Sequence, residues 1–368
     1  MKNGKTYLII LFIIAACREE YQPQVTKQNP NYLVVEGIIN PDSTTVTLSL
    51  TRALNDTITF IPQPNAIVYI QGQRGSQYVM SNKNNGNYTT GRLPLDLTDK
   101  YRLRITASGQ QFESDYVEFK RTPLIDSLHW DQNNDVFIGL FTHDPSNNTR
   151  YYRWEYEETW EFHSFYDTNL GYENGQVYFR DTTQLTNICY KFAASTEIVL
   201  GTSAQLTDDV IQNTPIITIP DGSEKIDYRY SILVKQYALT KEAYEFWQLL
   251  RRNTNQVGGL FDAQPSQLQG NIHCITNPSE PVIGFVGVST VEQKRIFIVR
   301  SQLRPWHSGS EAFVCTPKII TDSVQYYLSD TTMAPAYFLS GGALAIAKKV
   351  CVDCRRHGGV TTKPSFWP

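Results

Sequence analysis

Long apolar runs are almost missing from this chain. Of its 368 residues, only positions 7–16 are hydrophobic over such a length, far short of the ~20 residues a helix needs to cross a bilayer. Charge of one sign is not in excess either: 33 Lys and Arg against 36 Asp and Glu leave a net charge of −3. The signs are interspersed, so there is no basic face and nucleic acid is not an expected partner. Methionine is scarce, with 3 residues, and the 6 histidines (His129, His143, His163, His273, His307, His357) are scattered. No G-x-S-x-G, H-E-x-x-H, Walker loop or G-x-G-x-x-G occurs. No residue is therefore nominated as catalytic, and neither cofactor nor metal is implied. Helical periodicity is confined to one segment.

What is present favours β structure. Hydrophobic residues make up 41% of the chain, enough for sizeable cores, and 22 Tyr and 17 Phe accompany frequent Thr and Val, residues that suit pleated surfaces. The length allows about two domains of roughly 150 residues each.

The first sixteen residues have the layout of a signal peptide: Lys2 and Lys5, then the apolar run, then the small residues Ala15 and Ala16 ahead of Cys17. This resembles a bacterial lipobox, with Ile14 a departure from the usual Leu, and it makes Cys17 the candidate for lipidation. Two or more acyl chains on one cysteine anchor a protein stably. Residues 17–30 then read as a lipidated polar tether. Arg18, Glu19 and Glu20 directly follow the cysteine, and this acidic pair resembles the surface-export signal of Bacteroidota lipoproteins. The expectation is an outer-membrane protein, lipid-anchored and facing the cell exterior.

Residues 31–122 hold short β-rich runs, among them "YLVVEGIIN", "TTVTLSLTRA", "NAIVYIQG" and "YRLRITASG", separated by turn residues. Tyr101, Leu103 and Ile105 alternate with Arg102, Arg104 and Thr106, giving a core face and a wet face. The spacing predicts an immunoglobulin-like or transthyretin-like β-sandwich. "RTPLIDS" reads as a junction, and residues 123–310 as a larger β-rich domain. Within it, "RYYRWEYEETWEFHSFYD" alternates Tyr152, Trp154 and Tyr156 with Arg153, Glu155 and Glu157, a strand period. The aromatic set Tyr152, Trp154, Tyr156 and Trp160 is either a platform for a sugar or peptide or a packing face; the alternation by itself accounts for packing. One short α-helix is predicted near 240–253. Thr240 caps it, Ala243, Phe246, Trp247 and Leu250 share a face, and Arg251 and Arg252 suit its last turn.

With Cys17 assigned to lipid, Cys189, Cys274, Cys315, Cys351 and Cys354 remain, an odd number. In an oxidising compartment they form up to two disulfides. The expected set is Cys274, Cys315, Cys351 and Cys354, stapling an irregular segment at 311–368, with Cys189 the free thiol. Cys351, Cys354 and His357 have ligand-like spacing, but a zinc site would need Cys315 or His273 to join them. Asp-Ser/Thr triplets such as Asp42-Ser43-Thr44 and Asp330-Thr331-Thr332 resemble a Bacteroidota O-glycosylation signal and equally fit turn chemistry.

"LVVEG", "GNYTTG", "YRLRI", "ALTKEAYEFWQLLRRNTNQVGGLFDAQPSQLQGNI", "EPVIGFVGVSTVEQKRIFI" and "CVDCRRHGGVTTKPSFW" together resemble the Bacteroidota lipoprotein family catalogued as domain of unknown function 4249. Members tend to be encoded beside TonB-dependent outer-membrane transporters. The resemblance thus implies a non-enzymatic accessory to such a transporter, acting in substrate capture or uptake. The competing expectations are a surface hydrolase of glycan or peptide, using the aromatic strand, and a structural envelope protein.

Overall fold

Strand Leu33–Ile39 buries Leu33, Val35 and Ile39 and pairs antiparallel with Thr45–Leu50, which buries Val46 and Leu48. Facing this sheet is a second one built on Ile67–Gly72, Lys100–Ala107 and Gln110–Ser114. Their inner faces form one core around Val35, Leu48, Ile70, Leu103 and Ile105, as the period-2 alternation requires. These coordinates are a computed structural model describing residues 31–51, 60–255, 270–307 and 315–368. The expected leader and tether, with Cys17, Arg18, Glu19 and Glu20, lie outside the described residues.

The first sandwich is not contained in 31–122. Ile272–Cys274 pairs with Gln110–Ser114, and Ile283–Val288 runs parallel to Leu33–Ile39. Ile272, Val286 and Val288 enter the same core. The expected contiguous domain at 123–310 is thereby corrected: its later part returns to the first unit. An exposed strand edge offers unpaired backbone groups, and nothing local along the chain says which distant segment will cover it. Gly284 makes the close approach possible. Its φ is +135°, and a Cβ there would stand 1.9 Å from the Val35 carbonyl oxygen.

The second sandwich packs the sheet Ile125–Asn133, Asp135–His143 and Val210–Ile219 against a sheet ordered Ile188–Ala194, Tyr151–His163, Arg229–Ala238 and Val291–Val299. Its core gathers Ile138, Leu140, Trp154, Ile232, Val234 and Ile298. The run "EPVIGFVGVSTVEQKRIFIVR" does hold two strands, but they join different sandwiches. Two of the three chain crossings between the units lie side by side: Thr122 N donates to Thr290 Oγ1 at 2.8 Å, and Lys120 bridges Ser289.

Helix Lys241–Asn255 ties the units together. Thr240 caps it, its Oγ1 accepting from Ala243 N at 3.2 Å. Phe246 packs 5.6 Å from Phe285 of the first sandwich, and Tyr244 lies 5.0 Å from Tyr151 of the second. A further helix of one turn, Val324–Leu328, was not expected.

The C-terminal segment is more regular than its sequence suggested. Lys318–Ile320, Leu344–Lys348 and Met333–Phe338 form a sheet that shares a small core with Leu170 of the hairpin Leu170–Glu173/Gln176–Phe179. Among the described residues the disulfides are Cys189–Cys354 and Cys315–Cys351, and Cys274 is free and buried. The assignment of Cys274 to a bridge and of Cys189 to the free thiol is corrected. Cys274 sits on the strand that returns to the first sandwich's core, whereas Cys189 lies on the edge strand of the second, under the tail.

Candidate functional site

The strand Tyr151–His163 has two faces, and they have different fates. Tyr152, Trp154, Tyr156 and Trp160 are 0%, 0%, 7% and 8% exposed, so they offer no platform. They pack the core instead, with the Tyr152 and Trp154 rings stacked at 5.7 Å. The polar tips of Tyr152, Trp154 and Trp160 are satisfied. Trp154 Nε1 donates to Gln236 Oε1 at 2.8 Å, and the Tyr152 hydroxyl donates to the buried Asp209 carboxylate. Burial pushes the Tyr156 hydroxyl up to about 12 and raises Tyr152 and Asp209 as well. No carboxylate pair stands ready beside Trp160. Glu224 accepts from Trp160 Nε1 at 3.2 Å and from Lys191 at 2.7 Å, while Glu158 is held by Lys225 and Tyr230.

The other face carries Arg153 and Glu155. Register across three strands sets Arg153 beside Tyr237 and Tyr237 beside Val291, and likewise Glu155, Lys235 and Gln293 in the adjacent row. Opposite them stands the outer face of the first sandwich, where Glu36 pairs with Thr47 and Ile38 with Thr45. Between these polar faces is a cleft of about 460 Å³, closed on one side by Trp247 of the helix. The Arg153 guanidinium lies over the Trp247 ring at 3.7 Å and donates through Nη2 to Glu155. Tyr237 donates to Glu155 Oε2 at 2.9 Å. Burial, reinforced by the Glu155 charge, raises the Tyr237 phenol well above its ordinary value, so it stays a donor.

Residues 18–295 match the family described as "Domain of unknown function (DUF4249)". The chain belongs to that family. Both walls of the cleft lie inside the matched part of this DUF4249 protein, and the disulfide-bearing tail beyond residue 295 lies outside it. No curated protein matches the chain. Among solved structures, a two-domain fibronectin type-III segment of chicken tenascin is similar at 11% identity and a TM-score of 0.17, covering 57% of this chain and 92% of that one. The FN1–FN3 domains of chicken CNTN1 give 10% identity and a TM-score of 0.15, covering 57% of this chain and 59% of that one.

Other candidate chemistry is structurally occupied. Cys351 and Cys354 are bonded to Cys315 and Cys189, and the His357 ring is 2.8 Å from the Val350 carbonyl oxygen. A larger cavity of about 840 Å³ lies at the junction around residues 119–126 and 143–149. There His143 Nδ1 is 2.8 Å from Asp126 Oδ2, a hydrogen bond that raises the His143 pKa. Alternation in the sequence already placed Arg153 and Glu155 on a common face; their partners Glu36, Thr45, Lys235, Tyr237, Trp247 and Gln293 carried no signal of convergence.

Proposed function

We propose that this protein is a surface-exposed outer-membrane lipoprotein that acts, without catalysis, beside a TonB-dependent transporter in capturing or admitting its substrate. The observation that carries this reading is the leader that ends at Cys17 with Arg18, Glu19 and Glu20 behind it. A lipid anchor confines the chain to the membrane plane, and even a weak encounter with a neighbouring transporter then gains effective concentration. Family membership supports the partner, since members tend to be encoded beside such transporters. The cleft gives the reading a place for substrate, and ion pairing of the carboxylates near Trp160 weighs against a glycoside hydrolase there.

Mild detergent extraction followed by affinity purification should recover a β-barrel transporter in near-stoichiometric amount. The protein emerging alone, under conditions that preserve other transporter complexes, overturns the partnership. Replacing Glu19 and Glu20 with Ala should remove the protein from the reach of protease applied to intact cells, and Cys17→Ala should abolish acylation.

A further inference from the structure

We infer that the cleft between the sandwiches binds a small carboxylated ligand, with the Arg153 guanidinium receiving its carboxylate. The inference adds a ligand class to the proposed capture role, and it is tested on the purified protein without any transporter.

Arg153 is the centre of the argument. A guanidinium offers five N–H donors in one plane, a fork that matches a carboxylate. Here one face of that plane lies on Trp247, which fixes the orientation and leaves the donors along the edge. Only Nη2 is engaged, by Glu155. Nε is fully buried with no hydrogen-bond partner, and Nη1 has none among the described residues. Unused donors on a largely buried cation are costly; the buried Nε is closed to a ligand, and an anion at the Nη1 corner would relieve the cost there.

The facing groups indicate what accompanies the carboxylate. Among the described residues, the side chains of Glu36, Ser43, Thr45 and Gln293 form no hydrogen bond or ion pair, and all line the cleft. Glu36 accepts only, so a ligand reaching it must bring donors. The ligand is therefore an acid that also carries hydroxyl or amine donors at its far end. The cleft's volume, about 460 Å³, lies within the range of small-molecule sites. Both walls are strand faces held in register, and the helix contacts both units, so the site is formed before the ligand arrives. Acidic sugars and short peptides share this chemistry.

Calorimetry on the detergent-solubilised full chain with digalacturonate and with trialanine distinguishes the two sources; maltose and trialanine amide are the controls lacking a carboxylate. At least one carboxylated probe should bind, and binding by the sugar acid alone or the peptide alone assigns the source. Arg153→Gln should weaken it about tenfold or more, as loss of a hydrogen bond to a charged group implies. Because that substitution also removes a stacking contact, Thr45→Tyr on the opposite, exposed wall gives a second reading: it fills the cleft, leaves Arg153 untouched and should abolish binding. Binding of neither acid, equal binding of the controls that lack a carboxylate, or unchanged affinity in both variants overturns the assignment. Ligand binding with no transporter recovered would leave the cleft standing and remove the partnership.

Discussion

Glu158 is 4% exposed, on a strand whose other inward side chains are largely aromatic. It is tolerated because Lys225 Nζ lies 2.7 Å from both carboxylate oxygens and the Tyr230 hydroxyl donates at 2.8 Å. Removing one partner of a buried pair leaves an uncompensated charge. Lys225→Met should therefore lower stability by about 3 kcal/mol, read from the denaturation midpoint, whereas an effect below ~1 kcal/mol would mean solvent already screens the pair. Glu161 provides a pH-dependent case. The His163 ring, 2.7 Å away, and Trp367 Nε1, at 3.3 Å, hold its carboxyl below the ordinary 4.5. A carboxylate depressed in the fold contributes stability above its unfolded value and loses it as pH falls through the folded one. Acidification below about pH 4.5 should release Trp367, measured as the fluorescence difference between wild type and Trp367→Phe. In Glu161→Gln that acid transition should vanish.

At the scale of elements, the tail depends on covalent staples as well as its own small core. Cys189–Cys354 closes 165 residues of chain and fixes the last 3₁₀ turn, Cys354–His357, against the edge strand Ile188–Ala194. Long closed loops lose the most unfolded-state entropy. Replacing both Cys189 and Cys354 with Ala should cost about 2–5 kcal/mol. Non-reducing peptide mapping should return the Cys189–Cys354 and Cys315–Cys351 peptides with Cys274 alkylated only after unfolding. A bridge to Cys274 would contradict the topology, because that cysteine belongs to the other sandwich.

Taken as a whole, the molecule is two sandwiches that cannot be cut apart in sequence. The first takes Ile272–Cys274 and Ile283–Val288 from beyond the second, so residues 31–122 alone lack strands on an edge of each sheet. Their loss would expose the buried Val35 and Ile39 and unpair the backbone of Leu33–Ile39. An isolated 31–122 fragment should give poorly dispersed amide spectra, and adding back residues 270–289 through a short linker should restore dispersion. A well-folded fragment would show that the downstream strands are ornamental.

Strand type, core faces and the helix were legible in the sequence because they depend on periods of two and 3.6 residues that side chains display locally. Tyr101, Leu103 and Ile105 inside, Arg102 and Arg104 outside, and Thr240 at the helix start all follow from that. The proposed leader at residues 1–16 would likewise be a linear signal, since such signals are read on an unfolded chain. Tertiary structure alone decided what lies far apart in sequence. The Leu33–Ile39 edge is completed by a strand carrying Gly284, Cys189 rather than Cys274 meets Cys354, and Arg153 faces Glu36 across a cleft. Alternation assigns a side chain to a face of its strand. Which sheet, helix or void that face meets is set by burial of the whole surface and by pairing of every exposed edge, and those are properties of the folded chain.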